Sequence, residues 1–173
     1  MHTSTRDANL LGALGLALAD RLSAAAKPIG SSSAAAALVA LSARAARPSI
    51  DALARIVGLS HSGTVRLVDR LERDGLVERR RGADQRSAAL ALTPAGRRAA
   101  RRVLTRREAE MHSLLALLTD DQRAALTVVA ESILAKLGAD ADAERRVCRL
   151  CDLDACGRSR GLCPAVATRG FKR

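Results

Sequence analysis

The sequence contains no tryptophan, no tyrosine and a single phenylalanine, Phe171. Without aromatic faces there is no platform on which unpaired bases can stack, which excludes single-stranded nucleic-acid binding of that kind. Lysine is scarce as well: Lys27, Lys136 and Lys172 are the only three, and nearly all positive charge is arginine. No apolar run reaches the roughly 18 to 20 residues that a membrane span requires. Cysteine is missing from the first 147 residues. There is no Gly-rich phosphate loop, no paired carboxylates and no Ser/His/Asp set, and no C-x-x-C stands beside a βαβ pattern, so an enzyme is not expected.

What the 173 residues do contain is 48% hydrophobic side chains, mostly Ala, Leu and Val, and a formal net charge of +11. Small aliphatic residues in that proportion indicate a helical chain long enough for one sizeable core. The charge is concentrated. Between Arg66 and Arg107 stand thirteen arginines and five acids, a net of +8, leaving about +3 for the remainder. A GC-rich coding bias explains arginine in place of lysine, but not the clustering; a surface facing phosphates does.

The stretch Leu10 to Ala19 has the length of a signal-peptide core and ends in Ala17-x-Ala19. However, Asp7 offsets Arg6, Asp20 and Arg21 follow at once, and Leu11, Leu14, Leu18 and Leu22 recur at helical spacing. An amphipathic first helix, about Ala8 to Ala25, is the better reading, with a cytoplasmic location and no membrane partner. Ser31 to Ser33 offer caps for a second helix, about Ala34 to Ala45. Ser49 caps a short helix, Ile50 to Val57, and Gly58 closes it. Ser60 caps the next, His61 to Arg73. Leu76 to Arg81 and Ser87 to Leu92 read as two strands around a turn at Gly82 to Gln85. Thr93-Pro94 starts a helix to about Leu118, and Thr119-Asp120-Asp121-Gln122 is a capping box for the last long helix, which ends at Gly138. "GADADAE" then reads as a short acidic hinge before a tail of different composition.

Two helices joined by a three-residue turn containing glycine form a helix-turn-helix. Leu53, Ile56 and Leu59 can pack against Leu67, Val68 and Leu71, leaving Ser60, His61, Ser62, Val65, Arg66, Asp69, Arg70 and Arg73 outside. Ser60 to Ser62 make a short polar entry to a major groove, in which His61, Ser62 and Val65 are candidate base readers. Arg66 could bond guanine or phosphate, while Arg70 and Arg73 suit phosphates or pairing with Asp69 and Asp74. Gly63 lowers helix propensity by about 1 kcal/mol relative to Ala, and reads as room for a close approach, to the preceding helix or to DNA. The ribbon that follows is a wing. Arg86 at its tip is placed to enter a minor groove, with Asp84 orienting it, while Arg79, Arg80 and Arg81 face flanking phosphates. An ordinary helix hairpin with solvated arginines is the plain alternative; the wing weighs against it.

Residues 49 to 98 resemble the MarR family of bacterial winged-helix regulators. The segment "LVDRLERDGLVERR", the Asp84-x-Arg86 pair and "LTPAGR" carry the resemblance. Gln85 stands where the family commonly has arginine, and Gly63 where a polar residue is usual. The resemblance implies a mainly α fold with a small β wing, dimeric, with helices from both termini forming the dimer interface. Its parts would be a dimerisation helix at 1–30, a winged helix-turn-helix at 31–93, dimerisation helices at 94–138 and a cysteine-rich tail at 139–173. It also implies a homodimeric repressor on a palindromic operator in double-stranded DNA, released by a small-molecule effector or an oxidant. A protein-interaction module is the alternative class.

All four cysteines lie in the tail, at Cys148, Cys151, Cys156 and Cys163, spaced C-x2-C-x4-C-x6-C. Four clustered thiols in a reducing compartment read as a metal site. Gly157, Gly161 and Pro164 supply bends, and Arg145, Arg146, Arg149, Arg158 and Arg160 offset thiolate charge. Zinc suits four thiolates, although only one C-x2-C knuckle is present. An iron–sulfur cluster and an oxidisable thiol switch are the alternatives.

Overall fold

The computed structural model describes residues 4–43, 48–81, 88–138 and 140–167. Among the described residues, eight α-helices and one two-stranded ribbon follow each other as α1 (Thr5–Ala26), α2 (Ser32–Ser42), α3 (Ile50–Val57), α4 (His61–Arg73), β1 (Val77–Arg81), β2 (Ala88–Leu92), α5 (Pro94–Leu115), α6 (Asp120–Leu137), α7 (Ala141–Val147) and α8 (Pro164–Ala167). This is the mainly helical, winged helix-turn-helix architecture that the sequence indicates.

The boundaries follow from caps. Ser4, Ser31, Ser49, Ser60 and Thr93 each accept a backbone N–H from the first turn that they precede, which satisfies donors that a helix start leaves open. Thr119 and Gln122 form the expected capping box. Gly58 closes α3 in the left-handed region, at φ 72°. The first helix begins at Thr5 rather than Ala8 because Ser4 provides the cap. The helix expected to run to Leu118 stops at Leu115, where the Arg123 guanidinium donates to the Leu115 and Leu118 carbonyls and occupies that end. The acidic hinge is corrected outright: Asp140 caps α7 through its side chain, so most of that stretch is helix.

One core holds the head together. Helix α2 is buried on every side from Ala34 to Leu41, as a helix apolar all round must be. Leu38 and Leu41 meet Leu53 and Ile56 of α3, Leu67, Val68 and Leu71 of α4, Val77, Leu90 and Leu92 of the wing, and Ala99 and Ala100 of α5. A second cluster of Ala26, Ala35, Val39 and Val103 joins α1, α2 and α5, with Leu150 packed on it from beyond α7. No single described helix is long and apolar enough to cross a membrane; the apolar α2 is accounted for by this core.

The wing is antiparallel, with Val77 opposite Leu92 and Arg79 opposite Leu90. The Leu90 N–H donates to the Pro48 carbonyl at 3.0 Å, tying the ribbon to the entry of α3. The glycine of "LTPAGR" has a packing reason. A Cβ on Gly96 would lie 1.9 Å from the Leu76 carbonyl oxygen, so α5 can start against the wing only if that residue lacks a side chain. Thr93 completes the junction, accepting from the Gly96 N–H at 3.0 Å and donating to the Gly75 carbonyl at 2.7 Å.

Replacing Gly96 with Ala is expected to lower unfolding stability by about 2 to 3 kcal/mol, because backbone rather than a flexible side-chain end must move. Denaturant titration followed by circular dichroism measures it; an unchanged midpoint would refute the close-approach argument.

Candidate nucleic-acid interface and cysteine cluster

Helix α3 and helix α4 meet through Leu53, Ile56, Leu67, Val68 and Leu71, which turns the other face of α4 to solvent. Arg66, Asp69, Arg70 and Arg73 are exposed, as are Ser60, His61 and Ser62, while Val65 is half-buried. The amino end of α4 is organised by its own hydroxyls. Ser60 Oγ accepts from the Gly63 N–H at 3.1 Å and lies 3.3 Å from Ser62 Oγ. The fully buried Thr64, which sequence reasoning passed over, returns its hydroxyl to the Ser60 carbonyl at 2.9 Å.

A Cβ on Gly63 would come within 3.2 Å of Ser60 Oγ and 3.7 Å of Leu59 Cβ. The residue that it makes room for is thus its own capping turn, not the body of α3. His61 is held from the protein side, its Nδ1 2.6 Å from Asp51 Oδ1 on α3. That pair spans the outer mouth of the helix-turn-helix, and both side chains are about two-thirds exposed.

The arginines of the wing divide by their partners. Arg79, expected to face a flanking phosphate, has partners within the protein. Its guanidinium bridges Asp69, at 2.5 Å, and Glu72, both on α4. Its backbone N–H also donates to Glu72. The hydrogen bond to Asp69 raises its pKa first, burial opposes, and Glu72 adds to the rise. Arg79 therefore clamps the wing to α4, each partly exposed pair contributing about 0 to 1 kcal/mol after solvent screening. Asp69, expected to pair with Arg70 or Arg73, is engaged by Arg79 instead. Arg80 pairs with its strand neighbour Glu78 at 2.5 Å. The side chain of Arg81, and the tip with Asp84 and Arg86, lie outside the described residues.

A second constellation lies behind the head. Helix α7 packs on α3, and Asp142 reaches both Arg145 at 2.8 Å and Arg55 of α3 at 3.7 Å. The buried Glu144 pairs with Arg158. Helix α8 seats on the end of α6, so closely that a Cβ on Gly138 would be 2.6 Å from the Ala165 carbonyl oxygen. Between these supports lie the four cysteines, all of them free thiols. Their acidities are tied two by two, Cys148 with Cys151 and Cys156 with Cys163. Across the pairs, Cys148 feels the charge of Cys163, and Cys156 that of Cys151. The metal site expected from Cys148, Cys151, Cys156 and Cys163 is not assembled: among the described residues no three or more His, Cys, Asp or Glu side chains are grouped so as to hold a metal ion.

The two pairs differ in acidity. The hydrogen bond from Cys148 lowers Cys151 to about 6; burial opposes this, and Arg107, Arg149 and Arg158 reinforce it. The same bond, with burial and the charge of Cys151, raises Cys148. Burial and then Cys163 push Cys156 up to about 11. Arg107 comes from α5, so its charge reaches the cluster only through the fold. A cleft of about 710 Å3 opens beside the cluster, between α2, the wing base, α5 and the cysteine loop. Leu41, Arg80, Arg97, Arg101, Leu104 and Cys151 are among its walls.

Residues 31–87 match the family model described as the MarR family. Among solved structures the chain is similar to the MarR family protein Rv2887 of Mycobacterium tuberculosis, at 27% identity over 72% of this chain and 91% of that one, with a TM-score of 0.60. It is similar to CouR from Rhodococcus jostii bound to p-coumaroyl-CoA, at 27% identity over 72% and 88%, with a TM-score of 0.56. It shares the fold of MepR, a transcription regulator of the Staphylococcus aureus multidrug efflux pump MepA, at 16% identity over 75% and 97%, with a TM-score of 0.66. No curated protein matches the chain.

In the reduced, chelator-treated protein, Cys151 is expected to be the first thiol alkylated by iodoacetamide at pH 7. Its rate should fall as the pH drops through about 6, because the thiolate is the nucleophile. Peptide mass mapping of partly modified protein reads the order, and earlier labelling of Cys156 would contradict it.

Proposed function

We propose that this chain, which belongs to the MarR family through the winged helix-turn-helix of residues 31–87, represses transcription by binding a palindromic operator in double-stranded DNA as a homodimer. It is a regulator and not an enzyme, in common with the transcription regulators that it matches.

The observation that carries the DNA-binding reading is the outer face of α4. Ser60, His61 and Ser62 stand exposed at its amino end, with Arg66, Arg70 and Arg73 along it, and the acids beside them are neutralised from within, Asp69 and Glu72 by Arg79. The face is left net positive, as major-groove binding requires. Ser62, Val65 and Arg66 are the proposed base readers, with His61 held at the edge by Asp51. Arg70 and Arg81 are the proposed phosphate contacts, and Asp84 and Arg86 the wing-tip pair. Arg79 acts on DNA only by holding the wing in register.

The homodimer reading rests on apolar surface without a partner. Helix α6 has no buried residue over its eighteen positions, yet it exposes Leu126, Val129, Ile133 and Leu137, and α1 exposes Leu10, Leu11, Leu14 and Leu16. Two long helices from opposite ends of the chain with open apolar faces suit a second copy of themselves. A two-fold then sets two α4 helices about one helical turn of DNA apart. For the effector, CouR is described with p-coumaroyl-CoA and Rv2887 with p-aminosalicylic acid. The cleft beside the wing base, with Arg97 and Arg101 set against Leu41 and Leu104, suits a small aromatic acid of that chemistry.

Fluorescence anisotropy on operator fragments, selected from a random double-stranded pool, tests the reading. Affinity should fall steeply with salt, and Arg66→Ala should weaken binding by about 1 to 3 kcal/mol, or about 5- to 150-fold, without changing the unfolding midpoint. Salt-insensitive binding, or no selected site, would favour a protein-interaction module. Ile133→Asp should convert the dimer to monomer in sedimentation velocity; a dimer that survives it would place the interface elsewhere.

A further inference from the structure

His61 opens α4, and Asp51 lies in the first turn of α3. Both side chains are exposed, yet Nδ1 of the one lies 2.6 Å from Oδ1 of the other. An exposed pair of this kind adds little to stability. What it fixes is an orientation. The peptide that carries His61 is already held on both sides: Ser60 Oγ accepts from the Gly63 N–H, and the Thr64 hydroxyl donates to the Ser60 carbonyl. With the backbone set by the cap and the ring set by Asp51, the imidazole has one place at the amino end of the outer face of α4.

The two ring nitrogens then take different tasks. A carboxylate offers only lone pairs, so Nδ1 must carry the proton that meets Asp51. In the neutral ring the second nitrogen, Nε2, is left with a lone pair. It lies across the ring, away from Asp51, and among the described residues it has no partner. A lone pair at this spot is repelled by phosphate oxygens. It is also repelled by O6 and N7 of guanine and by O4 of thymine, which are acceptors themselves. The groups in a major groove that can satisfy it are the exocyclic amines, N4 of cytosine and N6 of adenine.

We infer that Asp51 is a positioning residue that fixes the Nδ1–H form of His61, and that His61 thereby uses Nε2 to select an amine-bearing base, cytosine or adenine, at one position of each half-site. The inference rests on the proposed binding of α4 in a major groove. It gives His61 a reading task of its own at the edge of that face, and gives Asp51 a share in sequence choice from the neighbouring helix. Without the carboxylate the ring is free to turn and to exchange its proton between nitrogens. It then accepts from an amine or donates to guanine alike, and the preference goes.

The test starts without DNA, by nuclear magnetic resonance on the full chain carrying nitrogen-labelled histidine. The signals of His61 are told from those of His2 and His112 by their loss in His61→Ala. Spectra are followed to alkaline pH until they stop moving. The expected pattern is a protonated Nδ1 and an unprotonated Nε2, going over in Asp51→Ala to the Nε2–H form that an unpaired imidazole prefers. The second arm varies each base pair of the selected operator in turn. One position should favour cytosine or adenine over guanine and thymine on one strand by about 2- to 13-fold, the worth of one hydrogen bond. That preference should be lost in His61→Ala and in Asp51→Ala, and no further in the double variant, while the salt dependence keeps its slope. A merely structural Asp51 would instead lower affinity for all bases alike. His61→Ala alters an exposed side chain, so it reports even if Asp51→Ala fails to fold. A wild-type Nε2–H form would overturn the inference, as would base preferences that both variants leave intact. Failure to select any operator would overturn the major-groove binding itself, with the tautomer still deciding whether Asp51 positions the ring.

Discussion

The burial of α2 is the constraint on which the rest depends. A helix with no polar side from Ala34 to Leu41 must be covered all round, and in this fold it is covered by α1, α3, α5 and the wing. Each covering element presents one apolar stripe inward and is free to use its other face. Helix α4 spends its inner stripe on Leu67, Val68 and Leu71, and so its arginines stand outside. Helix α5 does the same with Ala99, Ala100 and Val103. The small side chains of this core let the backbones approach closely, and Gly96 against the Leu76 carbonyl is the extreme case.

Charge in this protein has two uses that composition does not separate. Arg79 and Arg123 are structural: one bridges wing and recognition helix, and the other terminates α5. Arg66, Arg70 and Arg73 lie on the open face of α4. Arg79 also offsets Asp69 and Glu72, which takes their negative charge out of the outer field of α4. The net excess between Arg66 and Arg107 is thus partly consumed inside the head, and the exposed Arg66, Arg70 and Arg73 belong to what remains.

The cysteine module extends the same logic of borrowed support. It has almost no core of its own, so it leans on three neighbours: α3 through Asp142 and Arg55, the α2–α5 cluster through Leu150, and α6 through Ala165 against Gly138. The cleft lined by Cys151 is lined by residues of the wing base as well.

Much of this was legible without coordinates. Caps are local, because a serine or threonine hydroxyl bonds an amide two or three residues away. The starts of α2 to α6 and the close of α3 could therefore be read from Ser31, Ser49, Ser60, Thr93, Thr119 and Gly58. The helix-turn-helix and wing followed from spacing, and the four thiols from their clustering. What local pattern could not decide was partnership across the chain. That Arg79 pairs with Asp69 and Glu72 depends on those acids lying ten and seven residues away on another element. That His61 meets Asp51, that Arg107 reaches Cys151, and that the acidic stretch before the cysteines is a helix docked on α3, depend on tertiary packing. The sequence alone determined which residues carry charge and sulfur and where helices begin; only the fold decided which charges cancel, because a side chain's partner is set by distance in space and not along the chain.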